Sequence, residues 1–223
     1  MAEHRTPLFP GVLAFALVLV LSGDESLVAS RELTSSRAHS AGITLLEPGR
    51  PLELDIPGVE GLTFDLNVGS GTYVEIGATR PYGDLRLVLE RTDGTIAAQA
   101  EDGFDGAAAL RLAIVTQGSR YRVRVTNRAI EEARKSRFEL VLHTARSARQ
   151  GDAERVALYA RLGDARAAWQ RSVDDDGRRA AMLLLSKLPP EFVALGAQDG
   201  AAFAWSVVLD ESLALGDSKG ARE

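Results

Sequence analysis

Three histidines, two acidic clusters, a run of alternate arginines and two tryptophans are the residues of this chain with the means to do chemistry or recognition. A hydrolytic triad needs a nucleophile within hydrogen-bond reach of a base that a carboxylate orients. His143 could be such a base, but no G-x-S-x-G elbow accompanies it; His4 lies in the N-terminal segment and His39 in a polar stretch. Cysteine is absent, which excludes thiolate nucleophiles, thiolate metal sites and disulfides. No catalytic, cofactor-binding or metal-ligating residue is therefore assigned, no cofactor is expected, and the chain reads as a non-enzyme.

The clusters each have a functional and a plainer reading. Asp174-Asp175-Asp176-Gly177 lacks the alternate spacing and distal Glu of an EF-hand loop, and reads as an inter-helix turn with carboxylates near a helix N-terminus. Glu101-Asp102-Gly103-Phe104-Asp105-Gly106 could present oxygens to calcium, and is also an ordinary acidic loop between strands. Arg120, Arg122 and Arg124, with Arg128 beyond them, fall on the outward side of one strand. They are a candidate face for an acidic glycan or partner, against the reading of a solvated stripe paired across to Glu139 or Glu90. Tyr73, Tyr82 and Tyr121 read as core or rim residues ahead of a sugar-stacking platform. Trp169 and Trp205, each among alanines, read as helix-packing anchors, and Trp205 with Leu209 and Leu213 is the candidate protein-interaction set.

The elements that must position these residues change period along the chain. Leu52, Leu54 and Ile56 alternate with Glu53 and Asp55; Leu62, Phe64, Leu66 and Val68 alternate with Thr63, Asp65 and Asn67. Runs of the same kind recur at 73–78, 85–90, 110–115, 121–125 and 138–142, the period of strands with one face on a core and the other in water. Turn chemistry separates them, and Asp93-Gly94 predicts a tight type I′ hairpin. About eight short strands, with no crossover helix among them, imply an antiparallel β-sandwich of jelly-roll type.

After Thr144 the period becomes helical. Segments 152–162, 164–173, 177–188, 190–195 and 199–215 are expected as short helices, closed by Gly163, Gly196 and Gly216. Leu-Gly recurs at 162 and 195, a spacing of 33 close to the tetratricopeptide period, and again at 215 only 20 later. The fold class expected is thus α+β: an antiparallel jelly-roll sandwich followed by an α-helical, repeat-like segment.

At the other end, Arg5, the apolar run Leu8 to Leu21 and the small residues Ser26 to Ser30 have the layout of a secretory signal cleaved after Ser30. An uncleaved anchor is the alternative, although the run is short for a membrane span. The organisation expected is a signal peptide over 1–30, a linker over 31–42, the sandwich over 43–145 and the helical segment over 151–223, cut off as a repeat array begins. A net charge of −5 argues against a nucleic-acid partner.

The residues also resemble a family. Leu46-Glu47-Pro48-Gly49-Arg50-Pro51, "TFDLNVGSGTYVEI" (63–76), "DLRLVLERTDGTIAA" (84–98), "GSRYRVRV" (118–125) and "RFELVL" (137–142) together resemble the bacterial pre-peptidase C-terminal type of β-sandwich. "LALGDSKGARE" (213–223) resembles a junction between tetratricopeptide repeats, as in exported proteins that join such a sandwich to repeats and a distant CHAT domain. The resemblance implies the N-terminal part of a repeat scaffold; with no cysteine here, it carries no protease activity to this chain.

The function expected is an exported, non-catalytic protein-interaction scaffold with a protein partner, in the periplasm, at the cell surface or secreted. A membrane enters only if the N-terminal segment is an anchor. The alternative from a different class is an extracytoplasmic carbohydrate- or calcium-dependent binding module.

Overall fold

A computed structural model of the chain describes residues 46–56, 61–80, 84–101, 108–127 and 136–220. The expected signal and linker, Tyr82, Arg128 and residues 102–106 of the acidic loop lie outside these.

Eight strands form: β1 (Leu52–Ile56), β2 (Leu62–Asn67), β3 (Thr72–Arg80), β4 (Leu85–Arg91), β5 (Ile96–Glu101), β6 (Ala108–Val115), β7 (Arg120–Asn127) and β8 (Ser136–Ser147). They pair antiparallel in two sheets, ordered β1-β8-β3-β6 and β2-β7-β4-β5. Those orders make an eight-stranded jelly roll. The alternation read from sequence sets the core. On β7, Tyr121, Val123 and Val125 point inward and are buried while Arg120, Arg122 and Arg124 are exposed. Between the sheets they meet Leu66, Val74, Ile76, Leu87, Leu89, Phe138, Leu140 and Leu142, all buried. Each such side chain stabilises the fold by about 1.5–3 kcal/mol relative to exposure.

The β4–β5 hairpin departs from expectation. Gly94 N donates to Arg91 O and Arg91 N to Thr95 O, so three residues turn the chain in place of the tight two-residue turn. Asp93 accepts from both the amide and the hydroxyl of Thr95, at 2.9 and 2.7 Å, which holds the wider turn.

Four helices follow: α1 (Asp152–Arg171), α2 (Asp175–Leu185), α3 (Leu188–Ala194) and α4 (Gln198–Gly220). The expected breaks at Gly163 and Gly216 do not occur. Glycine inside a helix costs only about 1 kcal/mol against alanine. On α1, burial of Leu158, Tyr159, Leu162, Ala165 and Trp169 on both sides of Gly163 outweighs that. Of the three Leu-Gly pairs, only Leu195-Gly196 ends a helix, with Gly196 at φ 65°. The three pairs therefore do not occupy equivalent positions.

The helices cover the outer face of the β1-β8-β3-β6 sheet at β3 and β6. Tyr73 and Ala113 of that face share a second core with Leu158, Tyr159, Leu162, Leu185, Leu188, Phe192, Ala201, Ala204 and Val207. The described residues form three layers, sheet on sheet on helices.

Candidate functional site

Helix α4 carries the most exposed apolar surface at regular spacing. Trp205, Leu209 and Leu213 follow one another at intervals of four and are 52, 59 and 60% exposed. Residues four apart on a helix form one ridge. The opposite side of α4 is buried through Ala201, Ala204, Val207 and Glu211, so the ridge points away from the protein. Asp199 and Asp210 lie exposed beside it, and no basic residue occurs on α4 before Lys219. The ridge is apolar with an acidic margin.

The helix is held firmly from beneath. Arg166 of α1, itself buried, donates to Glu211 Oε1 at 3.1 Å and to Ala109 O of β6 at 2.8 Å. At the other end of α4, a Cβ on Gly200 would stand 2.6 Å from Phe192 Cδ1 and 3.1 Å from Tyr159 Oη, a space only glycine leaves open. α1 therefore meets α4 at Tyr159 near Gly200 and at Arg166 near Glu211, and the two run in the same direction. Arg111 of β6 completes the support, donating to Asp199 O at 3.2 Å and lying 5.2 Å from the centre of the Phe203 ring.

Below this contact lies a polar group that sequence reasoning missed. Glu75 of β3 accepts from Tyr159 Oη at 2.8 Å and Arg111 Nη1 at 3.1 Å on one oxygen, and from Tyr73 Oη at 3.0 Å on the other. Burial first, and the Glu75 charge second, push the hydroxyls of Tyr73 and Tyr159 well above the ordinary tyrosine range. Both phenols stay protonated donors. A cleft of about 210 Å³ opens beside them, lined in part by Tyr73, Glu75, Arg146, Arg155 and Asp199. Arg146 holds Asp152 through two bonds of 2.7 and 2.8 Å, which keeps the Asp152 carboxyl below the usual range. The charges at this junction pair with one another. The sequence did contain a signal for it: Tyr73, Gly77, Ala109 and Ala113 are outward-facing yet apolar or small, as a sheet covered on both faces requires.

The arginine stripe is exposed as expected, and carboxylates lie beside two of its three arginines. Arg122 lies opposite Asp65 on β2 and Glu90 on β4, and Arg124 is 3.8 Å from Glu90. Arg86 pairs with Glu101 at 3.0 Å on the same face. Tyr121 is a core residue whose hydroxyl accepts from Gln117 N and Gly118 N. Tyr73 is buried against the helices. Asp174 accepts from Gly177 N at 2.7 Å and caps α2, with Asp175 and Asp176 in its first turn. Trp169 is buried as an anchor under Arg178; Trp205 is not an anchor but surface. His143 has an exposed edge but lies over Gly77, and partial desolvation there, then Arg111, push its imidazole below the ordinary value.

Solved structures similar to part of this chain are distant ones. The pre-peptidase C-terminal domain of a collagenase from Bacillus anthracis is 13% identical, with 46% of this chain covering 98% of that one at a TM-score of 0.33. A C-terminal domain of EclA, described as a sugar-binding protein, is 17% identical over 47% of this chain and 82% of that one, TM-score 0.27. A structure of CBM51-2 and INT domains from Clostridium perfringens ZmpB is 10% identical over 76% and 42%, TM-score 0.29. No protein-family model matches the sequence, and no curated protein does.

Proposed function

We propose that this chain is an extracytoplasmic, non-catalytic protein-interaction module, and that the Trp205, Leu209 and Leu213 ridge of α4 receives an amphipathic helix of a partner protein. The observation that carries the reading is that ridge: three large apolar side chains, each more than half exposed, on a helix fixed from beneath by a buried ion pair. An i, i+4, i+8 ridge fits between the corresponding ridges of a second helix, which is why the occupant is helical. Asp199 and Asp210 select one with basic residues beside its apolar ones. Trp205 suits the centre of such a contact, since tryptophan combines large apolar area with few rotamers.

The sandwich serves as the platform that holds α1 and α4. The signal-like N-terminal layout supports export. Both oxygens of Glu75 are engaged by donors, which supports a structural role for it over a catalytic one.

The test uses the fluorescence of Trp205, because Trp169 is only 1% exposed and insensitive to a surface contact. A synthetic helical peptide with leucines at i, i+4 and i+8 flanked by lysine and arginine is titrated into the full chain. A saturable blue shift, lost with Leu209→Asp and with glutamates in place of the basic residues, is the expected result. Equal response from the wild type and the Leu209→Asp chain overturns the reading.

A further inference from the structure

The sandwich carries a hollow of its own, at the end where β4 turns into β5 and β6 into β7. It measures about 450 Å³, and Arg91, Asp93, Gln117, Ser119, Arg120 and Tyr121 are among its walls, with no helix residue. Both loops are held in place. Tyr121 Oη accepts from Gln117 N at 2.9 Å and Gly118 N at 3.2 Å, and Ser119 O accepts from Val68 N at 3.0 Å, which pin the β6–β7 loop. Asp93 Oδ1 takes both bonds from Thr95 and holds the β4–β5 turn. Arg91 spans the two loops, donating to Thr95 Oγ1 at 3.3 Å and to Gln117 Oε1 at 3.5 Å. The hollow is therefore formed before any ligand arrives, as small-molecule sites commonly are.

Its charges are not spent on one another. The Arg91 side chain donates only to neutral oxygens. Arg120 stands opposite Asn67 on β2 and makes no side-chain hydrogen bond or ion pair among the described residues, unlike Arg124 on the same strand, which lies 3.8 Å from Glu90. Asp93 is the one carboxylate in the lining; it feels the charge of Arg91 without an ion pair, and its Oδ2 is left to a donor from outside. Two cations against one anion leave the hollow positive. We propose that it binds a carboxylate-bearing sugar, a uronic acid unit of a glycan. A guanidinium meets a carboxylate with paired N–H donors, and Arg91 and Arg120 supply two such groups. Asp93 Oδ2, Ser119 and Gln117 supply the acceptors and donors that ring hydroxyls require. A neutral sugar lacks the charge and finds no ring to stack on, since Tyr121, the only aromatic residue in the lining, is 3% exposed. A phosphate carries about −1.5 to −2 charges, more than the net positive charge offsets, and Asp93 opposes it more than a singly charged carboxylate. The site shares no residue with the α4 ridge and stands apart from that reading.

The experiment is isothermal titration calorimetry on the full chain with trigalacturonate and a hyaluronan tetrasaccharide, set against galactotriose and inorganic phosphate. At least one of the two acidic oligosaccharides is expected to bind saturably and more weakly as salt is added, while galactotriose does not bind. Arg120→Gln should weaken the binding at least about tenfold, a loss of about 1.4 kcal/mol. Its side chain has no partner whose loss would disturb the fold. Far-UV circular dichroism checks this, and Arg120→Lys, which keeps the charge and loses the fork, repeats the test if the first variant does not fold. The Leu209→Asp chain should bind the oligosaccharide like the wild type, which separates this site from the α4 ridge. The inference is overturned if neither acidic oligosaccharide binds, if galactotriose or phosphate binds as tightly, or if the Arg120 variant binds like the wild type.

Discussion

Tyr159 Oη donates to Glu75 Oε1 at 2.8 Å, a bond between residues 84 apart that ties the first helix to the middle of the sandwich. Arg111 and Tyr73 bind the same carboxylate, so the helical layer is joined to the sheet by polar bonds as well as by a core.

Tyr159→Phe removes one donor from a buried carboxylate and little else. The loss of a hydrogen bond to a charged group should cost about 1.5–3 kcal/mol. Urea unfolding reads this as a lower midpoint at unchanged slope. An unchanged midpoint would show that the bond adds nothing to stability.

The two tryptophans should behave in opposite ways. Trp169→Ala empties a fully buried site and should cost about 3–5 kcal/mol. Trp205→Ala alters a surface ridge and should change stability by no more than about 0.5 kcal/mol. Thermal melts of both decide the matter, and a large loss at Trp205 would mean that its ridge is part of the fold.

Asp152 makes stability depend on acid. Its folded-state pKa is depressed, chiefly by the Arg146 side chain, so its contribution is present above the unfolded carboxyl's pKa and fades as pH falls through the folded one. Asp152→Asn should cost about 1.5–3 kcal/mol at neutral pH, where charge-assisted hydrogen bonds from Arg146 are weakened. Below roughly pH 4 the gap between variant and wild type should narrow. A gap that stays constant down to the acid transition would contradict the assignment.

Sandwich and helices should unfold together. Because Tyr73 and Ala113 of the sheet share one core with α1, α3 and α4, loss of the helices exposes both to water and strips Glu75 of its Tyr159 donor. Far-UV circular dichroism and Trp169 emission should give coincident transitions. Helices melting ahead of the strands would refute the shared core.

The β-sandwich was legible because strand alternation is local. Each of Tyr121, Val123 and Val125 faces the core for the same reason its arginine neighbours face water, and period two displays that directly. The arginine stripe was legible as a feature too, but the placing of Asp65 and Glu90 beside Arg122 depended on which strands lie next to β7. The helix boundaries were harder. Gly163 follows a leucine as a helix end would, and only the burial of α1 against β3 and β6, far earlier in the sequence, carries the helix through it.

Composition and periodicity alone determined that a two-layer sheet would form, that helices would follow it, and that no thiol chemistry was open to the chain. They also marked Trp205, Leu209 and Leu213 as one ridge, since spacing on a helix needs no tertiary information. Which side of that ridge faces water, and where the helices rest, was decided only in three dimensions. A helix has many apolar arcs that it can bury, and the choice falls to partners distant in sequence. Here Glu75, Arg111 and Ala109 of the sheet receive Tyr159, Arg166 and the start of α4, and that docking turns Glu211 inward and leaves Trp205 outside.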